Sequence, residues 1–593
     1  MKRAAAPVLV GLLLFGWNLA GHDLWAPDEP YFAEGAREMV RDGHWLVPHV
    51  LGRVTTDKPP GLFWCIAILS LPRGRVTELT ARLPSVLASL GSLLLVSWLA
   101  KMAWGEKAAP RAAVVLATCY LFWDKARTAQ ADALLCFFVL AAITSFASWR
   151  AGLLGGRSAG LLFWLAAAAA VLTKGPVGLI LPVGVALGTL AWDRNLRAAR
   201  LFAPVAGPLL ASAIVGAWAL PASSGIGGSY SVLQALRQHV LDRAIHGMHH
   251  VQPFWYYLAV VPVQALPWSP MIPGAVWAAW RGRENPWSRL FLWQAVFVLL
   301  FFSLWTEKRD LYVLPAYPAL ALLVARLFER GGQGLSEGWV LLPLRLLSVA
   351  MLAGAPIAWV VLSRFGAIPA RVGLQVAAAL ACGGLAVGAA SFGRKAARAV
   401  WIVAGAVGAA YLVVAQVVEP AINELKSARR FALELARRTE SHRGRGHGVY
   451  AYRLGNLPRA IAFYTDGLYL EELFGPEELL AAIGDAGESF VVTHEEELGG
   501  WPQDLRERAE ILLAHALART RLCLVRLHPR SLPGGEFDDR SGDPFHLRKD
   551  EILELRGVAN EGVRRGDPTH RRIELRVELL GDPGRDLGAV APG

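Results

Sequence analysis

Apolar stretches long enough to cross a bilayer recur through the first ~420 residues of this 593-residue chain, at roughly 20 residues per helix. With 54% hydrophobic residues and 22 Trp, the chain reads as a polytopic α-helical membrane protein. Met1-Lys2-Arg3 followed by the apolar run Pro7 to Leu19 resembles a secretory signal. It lacks a small-residue cleavage site and many spans follow, so it reads as the first span. Further spans are predicted near 83–100, 112–123, 133–149, 161–172, 177–192, 202–221, 254–279, 290–305, 311–327, 339–362, 372–391 and 399–418. The total is about 13. Leu62–Leu71 is apolar but too short to cross, and is expected at the interface.

An odd count puts the C-terminal part across the membrane from the N-terminus. Loops with Lys101/Lys107/Arg111, Arg150/Arg157, Arg194/Arg197/Arg200, Arg281/Arg283/Arg289, Arg326/Arg330 and Arg394/Lys395/Arg398 share a side with Lys2 and Arg3. The positive-inside rule makes that side cytoplasmic. The other side mixes bases with Asp28, Glu29, Asp57, Asp124, Asp132, Glu307 and Asp310. The net charge of +12 is thus explained by span ends and a basic tail, with no call for nucleic acid. Four of the five cysteines lie in apolar segments and none forms a CxxC, which argues against a disulfide framework or a cysteine metal site.

Three regions are expected: a membrane domain over 1–420, a small soluble α/β domain over 421–530, and a poorly ordered tail over 531–593. The second alternates helical stretches (Ala428–Arg438, Pro476–Ile483, Asp504–Arg519) with β-like runs (Gly448–Tyr452, Phe490–Thr493, Leu522–Leu527).

The loop Gly21–Trp64 is polar, yet an apolar span precedes it and many follow. Charge kept so close to a bilayer points to use. Asp28-Glu29-Pro30 opens an amphipathic helix, with Pro30 suited to the first helical position, Glu29 the natural cap and Asp42-Gly43 the stop. Phe32, Ala36, Met39 and Val40 share one face and Glu34, Arg37, Glu38 and Arg41 the other, so this helix is expected along the membrane surface. Capping leaves Asp28 unexplained and makes it a candidate for chemistry. Asp57-Lys58 pairs a carboxylate with an ammonium just before an apolar run, fit for a metal, an anionic headgroup or a simple snorkelling pair. Asp124, Lys125, Arg127 and Asp132 crowd a short hairpin, where Asp132 serves as a helix cap or as a site carboxylate. Lys174 and the run Glu307-Lys308-Arg309-Asp310 add cations on the same side, and His246, His249 and His250 offer metal ligands before Pro253-Phe254-Trp255-Tyr256-Tyr257. Cations suit a phosphate and carboxylates a general base or a metal, a combination met by a lipid-linked phosphate donor.

These motifs resemble the bacterial GT-C membrane glycosyltransferases related to 4-amino-4-deoxy-L-arabinose transferase and to the protein O-mannosyltransferases. The matching pieces are DEPYFAEGAREMVRDGHWLVPHVLG, DKPPGLFW, ARLPS, AQADALL, LTKGPVG, PFWYYL, LPW and EKRDLYVLPAYPALAL, in family order over residues 1–330. The resemblance implies a GT-C fold and inverting transfer from a polyprenyl-phosphate sugar, with Asp28 and Asp132 as catalytic acids. It implies Lys58, Lys174, Lys308, Arg309 and Tyr312 as the donor-phosphate set, and Asp57 with His250 as ligands of a divalent metal. Tyr31, Phe32 and Thr55 depart from the family pattern where a headgroup is read, so the sugar is not carried over. The expected partners are a polyprenyl-phosphate-linked sugar, a lipid, protein or glycan acceptor, and membrane lipids. The expected location is the bacterial plasma membrane, with the site and C-terminal domain outside. The alternative is a transporter or flippase of a lipid-linked substrate, for which charges buried in broken mid-span helices are expected.

Overall fold

The computed structural model describes residues 2–202, 205–224, 250–329, 338–364, 368–392, 396–440, 448–483, 488–517 and 520–529. His246, His249 and the tail over 531–593 lie outside these residues.

The membrane region opens with α1 (Lys2–Gly16), α2 (Asp28–Asp42), α3 (Gly61–Ser70) and α4 (Glu78–Trp104). It continues with α5 (Ala108–Ala117), α6 (Tyr120–Ala126), α7 (Ala131–Arg150), α8 (Gly156–Lys174), α9 (Val177–Trp192) and α10 (Ala206–Ser224). After residue 250 come α11 (Tyr256–Gln264), α12 (Ile272–Arg281), α13 (Pro286–Ser303), α14 (Tyr317–Leu327), α15 (Gly338–Arg364), α16 (Ala370–Phe392) and α17 (Ala396–Val413). Among the described residues, nine helical segments are long and apolar enough to cross a membrane. The shorter apolar helices at Pro7–Gly16, Ala108–Ala117 and Val177–Trp192 also entered the expected total of about 13, and the one at Gly61–Arg73 is the segment expected at the interface.

Two expected spans are interrupted. The segment 112–123 breaks between α5 and α6 at Thr118-Cys119, where the Thr118 hydroxyl bonds back to Val114 O and accepts from Trp268 Nε1. The segment 254–279 divides into α11, a 3-10 turn at Ser269–Met271, and α12. Pro267 removes a backbone donor between them, and a continuous helix does not hold, whereas Pro262 is accommodated within α11.

Beyond α17 the chain passes through a π turn (Val414–Val418) into α18 (Glu419–Lys426) and α19 (Arg429–Thr439). A five-stranded sheet follows, built from β3 (Val449–Tyr452), β4 (Glu471–Leu473), β5 (Ser489–His494), β6 (Ala509–Leu517) and β7 (Thr520–Leu527), in the order β4-β3-β5-β7-β6. The remaining strands, β1 (His49–Val50) and β2 (Arg53–Val54), form a small hairpin in the first loop. The sheet pairs β3 in parallel with β4 and β5, and β7 antiparallel with β5 and β6. Phe490, Val492, Leu522 and Leu524 face Phe431 and Leu435 of α19 on one side. Val491, Cys523 and Val525 face Trp501 and Leu505 on the other. The stretch Asp504–Arg519 is only briefly helical, at Gln503–Glu507, before becoming β6. Its alanines and leucines have good helix propensity, but the antiparallel ladder to β7 outweighs that weak preference.

The sheet region also corrects the expectation for α2. Helix α20 (Leu457–Tyr464) lies over α2, with Arg37 Nη1 donating to Asp466 Oδ1 at 2.8 Å and Arg41 Nη2 to Tyr469 OH at 2.8 Å. The charged face is therefore covered by protein rather than by headgroups: Glu34, Glu38 and Arg37 are all buried. The apolar face seats on α3, where Gly35 lets Phe63 come close enough that a Cβ would lie 2.4 Å from its ring.

Candidate active site

The site is assembled on Glu29. Its helix begins at Asp28 with Pro27 as the flanking residue and no side-chain cap, so Glu29 is not the cap that the Pro30 rule suggested. Its carboxylate turns inward instead, because a fully buried Arg82 on α4 meets it in a two-pronged pair, Nε to Oε1 at 2.7 Å and Nη2 to Oε2 at 2.9 Å. Glu29 also accepts from the main-chain N–H of Trp25 and Ala129, both at 3.0 Å. Arg82 uses its other donors on the carbonyls of Leu19, His22 and Asp23 at 2.8, 3.0 and 2.7 Å. Pairing of this quality is what makes two charges tolerable in a dry interior. The DEP, ARLPS and AQADALL motifs thus converge on one ion pair, a reason for their joint presence that spacing alone does not reveal.

With Glu29 fixed, Asp28 points to the partly open side. Its Oδ2 accepts from Arg309 Nη2 and from Gln130 Nε2, each at 2.8 Å. Burial pushes the Asp28 carboxyl up, but the Arg309 guanidinium beside it, with help from Lys58 and Lys125, holds it below the usual carboxylate range. Arg309 is correspondingly held charged. Tyr257 OH donates to Arg309 O at 3.0 Å and fixes that loop.

Asp132, in the first turn of α7, pairs with Lys174 at the end of α8 at 2.5 Å. Its expected capping role falls away, since Gln130 occupies the cap position without a side-chain bond. The Lys174 ammonium also lies 4.7 Å from the centre of the Tyr312 ring. Arg309 feels the charge of both Asp28 and Asp132, which joins the two pairs in one site. Lys125 pairs with Asp124 at 2.8 Å and feels Asp310 and Asp132 as well.

Asp28, Lys58, Asp132, Lys174, Arg309 and Tyr312 are therefore brought together, and Lys308 is turned to another task. Its Nζ donates to the carbonyls of Gln252 (2.8 Å) and Trp305, and its N–H to His250 O at 3.1 Å, tying residues 250–252 to 306–308. His250 is exposed in that loop with φ +44°. Asp57 lies within electrostatic range of Tyr31, whose hydroxyl shares a 2.7 Å hydrogen bond with Thr55 Oγ1. A divalent metal needs several protein donors around one point. Among the described residues no three His, Cys, Asp or Glu side chains form such a group.

Gln130 and Arg459 escaped the sequence reading. Gln130 stands in the quoted AQADALL motif but carries no charge to draw attention. Arg459, from α20, lies 4.8 Å from the Tyr31 ring centre, a long-range contact with no local signal.

Residues 9–222 match the family model described as dolichyl-phosphate-mannose-protein mannosyltransferase. The chain is 36% identical over 307 residues (51% of this chain, 55% of the relative) to the undecaprenyl phosphate-alpha-4-amino-4-deoxy-L-arabinose arabinosyl transferase of Erwinia tasmaniensis. It is 33% identical over 325 residues (53% and 57%) to the enzyme of that name in an Enterobacter species. The chain spans little more than half the length of these curated relatives. Among solved structures, ArnT from Cupriavidus metallidurans bound to undecaprenyl phosphate superposes with a TM-score of 0.69 at 19% identity, covering 88% of this chain and 97% of that one. The chain is a multi-pass membrane protein with the GT-C fold of that transferase, and its membrane half is related in sequence to the aminoarabinose transferases.

Proposed function

We propose that this protein transfers a sugar, with inversion, from a polyprenyl-phosphate donor to a lipid, protein or glycan acceptor. The observation that carries the reading is one ionised carboxylate, Asp28, held among Arg309, Lys58 and Lys125 and adjoining the Asp132–Lys174 pair. A cation cluster suits the donor phosphate and the charge that builds on it as it leaves. The relatives' names supply the donor class, an undecaprenyl-phosphate-linked sugar.

For a hydroxyl acceptor the step is a single displacement. The acceptor oxygen bonds to the anomeric carbon and its proton passes to Asp28. The bond from that carbon to the phosphate oxygen breaks, and polyprenyl phosphate departs with the electron pair. Lipid phosphate leaves readily, so the chemistry asks for charge stabilisation by Arg309 and Lys58 more than for a strong acid. For a phosphate acceptor, already anionic, Asp28 positions the attacking group instead.

The site opens on the outer face of the bacterial plasma membrane. Helix α7 carries Asp132 in its first turn and Arg150 in its last, about 27 Å apart at ~1.5 Å per residue. Arg150 joins Asp193 and Arg289 at that far end, the end rich in basic loops.

The test is to incubate the purified protein with undecaprenyl-phosphate sugars, the aminoarabinose form among them, and an acceptor panel of lipid A, a hydroxyl-bearing peptide and an oligosaccharide. Release of undecaprenyl phosphate with glycosylated product of inverted anomeric configuration is expected. Retained configuration would overturn the single displacement. Lipid-linked sugar that crosses a vesicle bilayer uncleaved would favour a flippase.

A further inference from the structure

The two oxygens of Asp28 are not equivalent. Arg309 and Gln130 both bind Oδ2, and among the described residues no hydrogen bond reaches Oδ1. Gln130 reaches Oδ2 from a turn that is itself pinned. Ser85 Oγ donates to Thr128 O at 2.6 Å, Ala129 N donates to Glu29 Oε1 at 3.0 Å, and Gln130 N donates to Thr128 O at 2.9 Å. The neighbours Asp28 and Glu29 thus grip the neighbours Gln130 and Ala129, with Glu29 itself held by Arg82.

The amide has one workable orientation. A carboxylate only accepts, so it must meet the –NH2 end of Gln130; the reverse would set carbonyl oxygen against carboxylate. That leaves Gln130 Oε1 buried and without a hydrogen-bond partner among the described residues. A buried orphan acceptor is a local cost that needs a reason. Its side chain gains nothing else here, and the contact with Asp28 is that reason.

We propose that Gln130 is a positioning residue for the transfer: holding Oδ2 from the α7 side while Arg309 holds it from the other, it fixes the carboxylate plane and presents Oδ1 to the attacking group of the acceptor. Oδ1 is then the atom that takes the acceptor proton, and Oδ2 stays engaged throughout. This rests on the reading of Asp28 as the group that acts on the acceptor.

The test uses full-length protein in nanodiscs with the undecaprenyl-phosphate sugar and the acceptor that turn over in the panel. Gln130→Ala should lower kcat by about 10- to 100-fold, the scale of a misplaced reacting group, with KM for the donor changed by no more than about 2-fold. Gln130→Glu sets a second carboxylate against Oδ2. It should move the acid limb of the kcat/KM profile to higher pH, because two adjacent carboxylates resist joint ionisation. Asp28→Asn/Gln130→Ala should be no slower than Asp28→Asn alone, since Gln130 acts through that carboxylate. Unchanged kcat in Gln130→Ala, or an unmoved acid limb in Gln130→Glu, with Asp28→Asn inactive, would overturn the assignment of Gln130 alone. Full activity in Asp28→Asn would overturn the reading beneath it.

Discussion

An acid set beside a guanidinium gives Asp28 a pH signature. Its folded pKa is depressed, so the stability it contributes is present above the unfolded carboxylate value and is lost as pH falls through the folded one. Catalysis follows the same direction: the acid limb of kcat/KM should fall below about pH 4, the ordinary carboxylate range. Arg309→Gln removes the main opposing charge and should move that limb to higher pH, alongside any loss of rate. A limb that stays put would mean that Arg309 does not set the ionisation of Asp28. Arg82 makes a harsher case. Replacing it by Met strands the Glu29 carboxylate in a buried site and should cost about 3–5 kcal/mol, read as a fall in the unfolding midpoint. Lys101→Ala, whose pair with Glu106 is about half exposed on both sides, should cost within about 1 kcal/mol. Asp28 and Lys58 were legible in the sequence because charge beside a bilayer needs an explanation. Gln130 was not: it is neutral, and its role depends on a contact 102 positions away.

At the scale of elements, α2 is a helix whose periodicity was read correctly and whose surroundings were not. An amphipathic moment says that two faces differ but not what covers the polar one. Here α20 and the loop after it cover it, with Arg37 joined to both Glu34 and Asp466. The same limit applies to β6, where an Ala- and Leu-rich stretch follows its neighbour strand instead of its propensity. The proline break in 254–279 was present in the sequence, and hydropathy smoothed over it. The seat of α2 on α3 gives a direct check. Gly35→Ala would place a methyl 2.4 Å from the buried Phe63 ring and 3.1 Å from Val50, and should destabilise the protein by about 1–3 kcal/mol. Unaltered thermal stability in detergent would show that the helices are not so closely seated.

On the scale of the whole molecule, the loop that carries the site joins the helical membrane region to the five-stranded sheet region. Tyr464 OH accepts from Leu24 N at 2.6 Å, and Asn423, Ser427 and Arg429 converge on Asp23, just ahead of Asp28. The proposed orientation is tested by cysteine labelling in a background without the five native cysteines. Asp466→Cys should react with a membrane-impermeant maleimide added outside intact spheroplasts, and Glu106→Cys only after permeabilisation. The reverse pattern would invert the topology and place the site in the cytoplasm. The most direct measurement is of Asp28→Asn with the undecaprenyl-phosphate sugar that the wild-type protein turns over in the panel, comparing donor binding with release of undecaprenyl phosphate. Binding close to wild type with turnover reduced by about 100- to 10,000-fold is expected, the range for a lost general base. Wild-type turnover in that variant would contradict the assignment of the chemistry to Asp28.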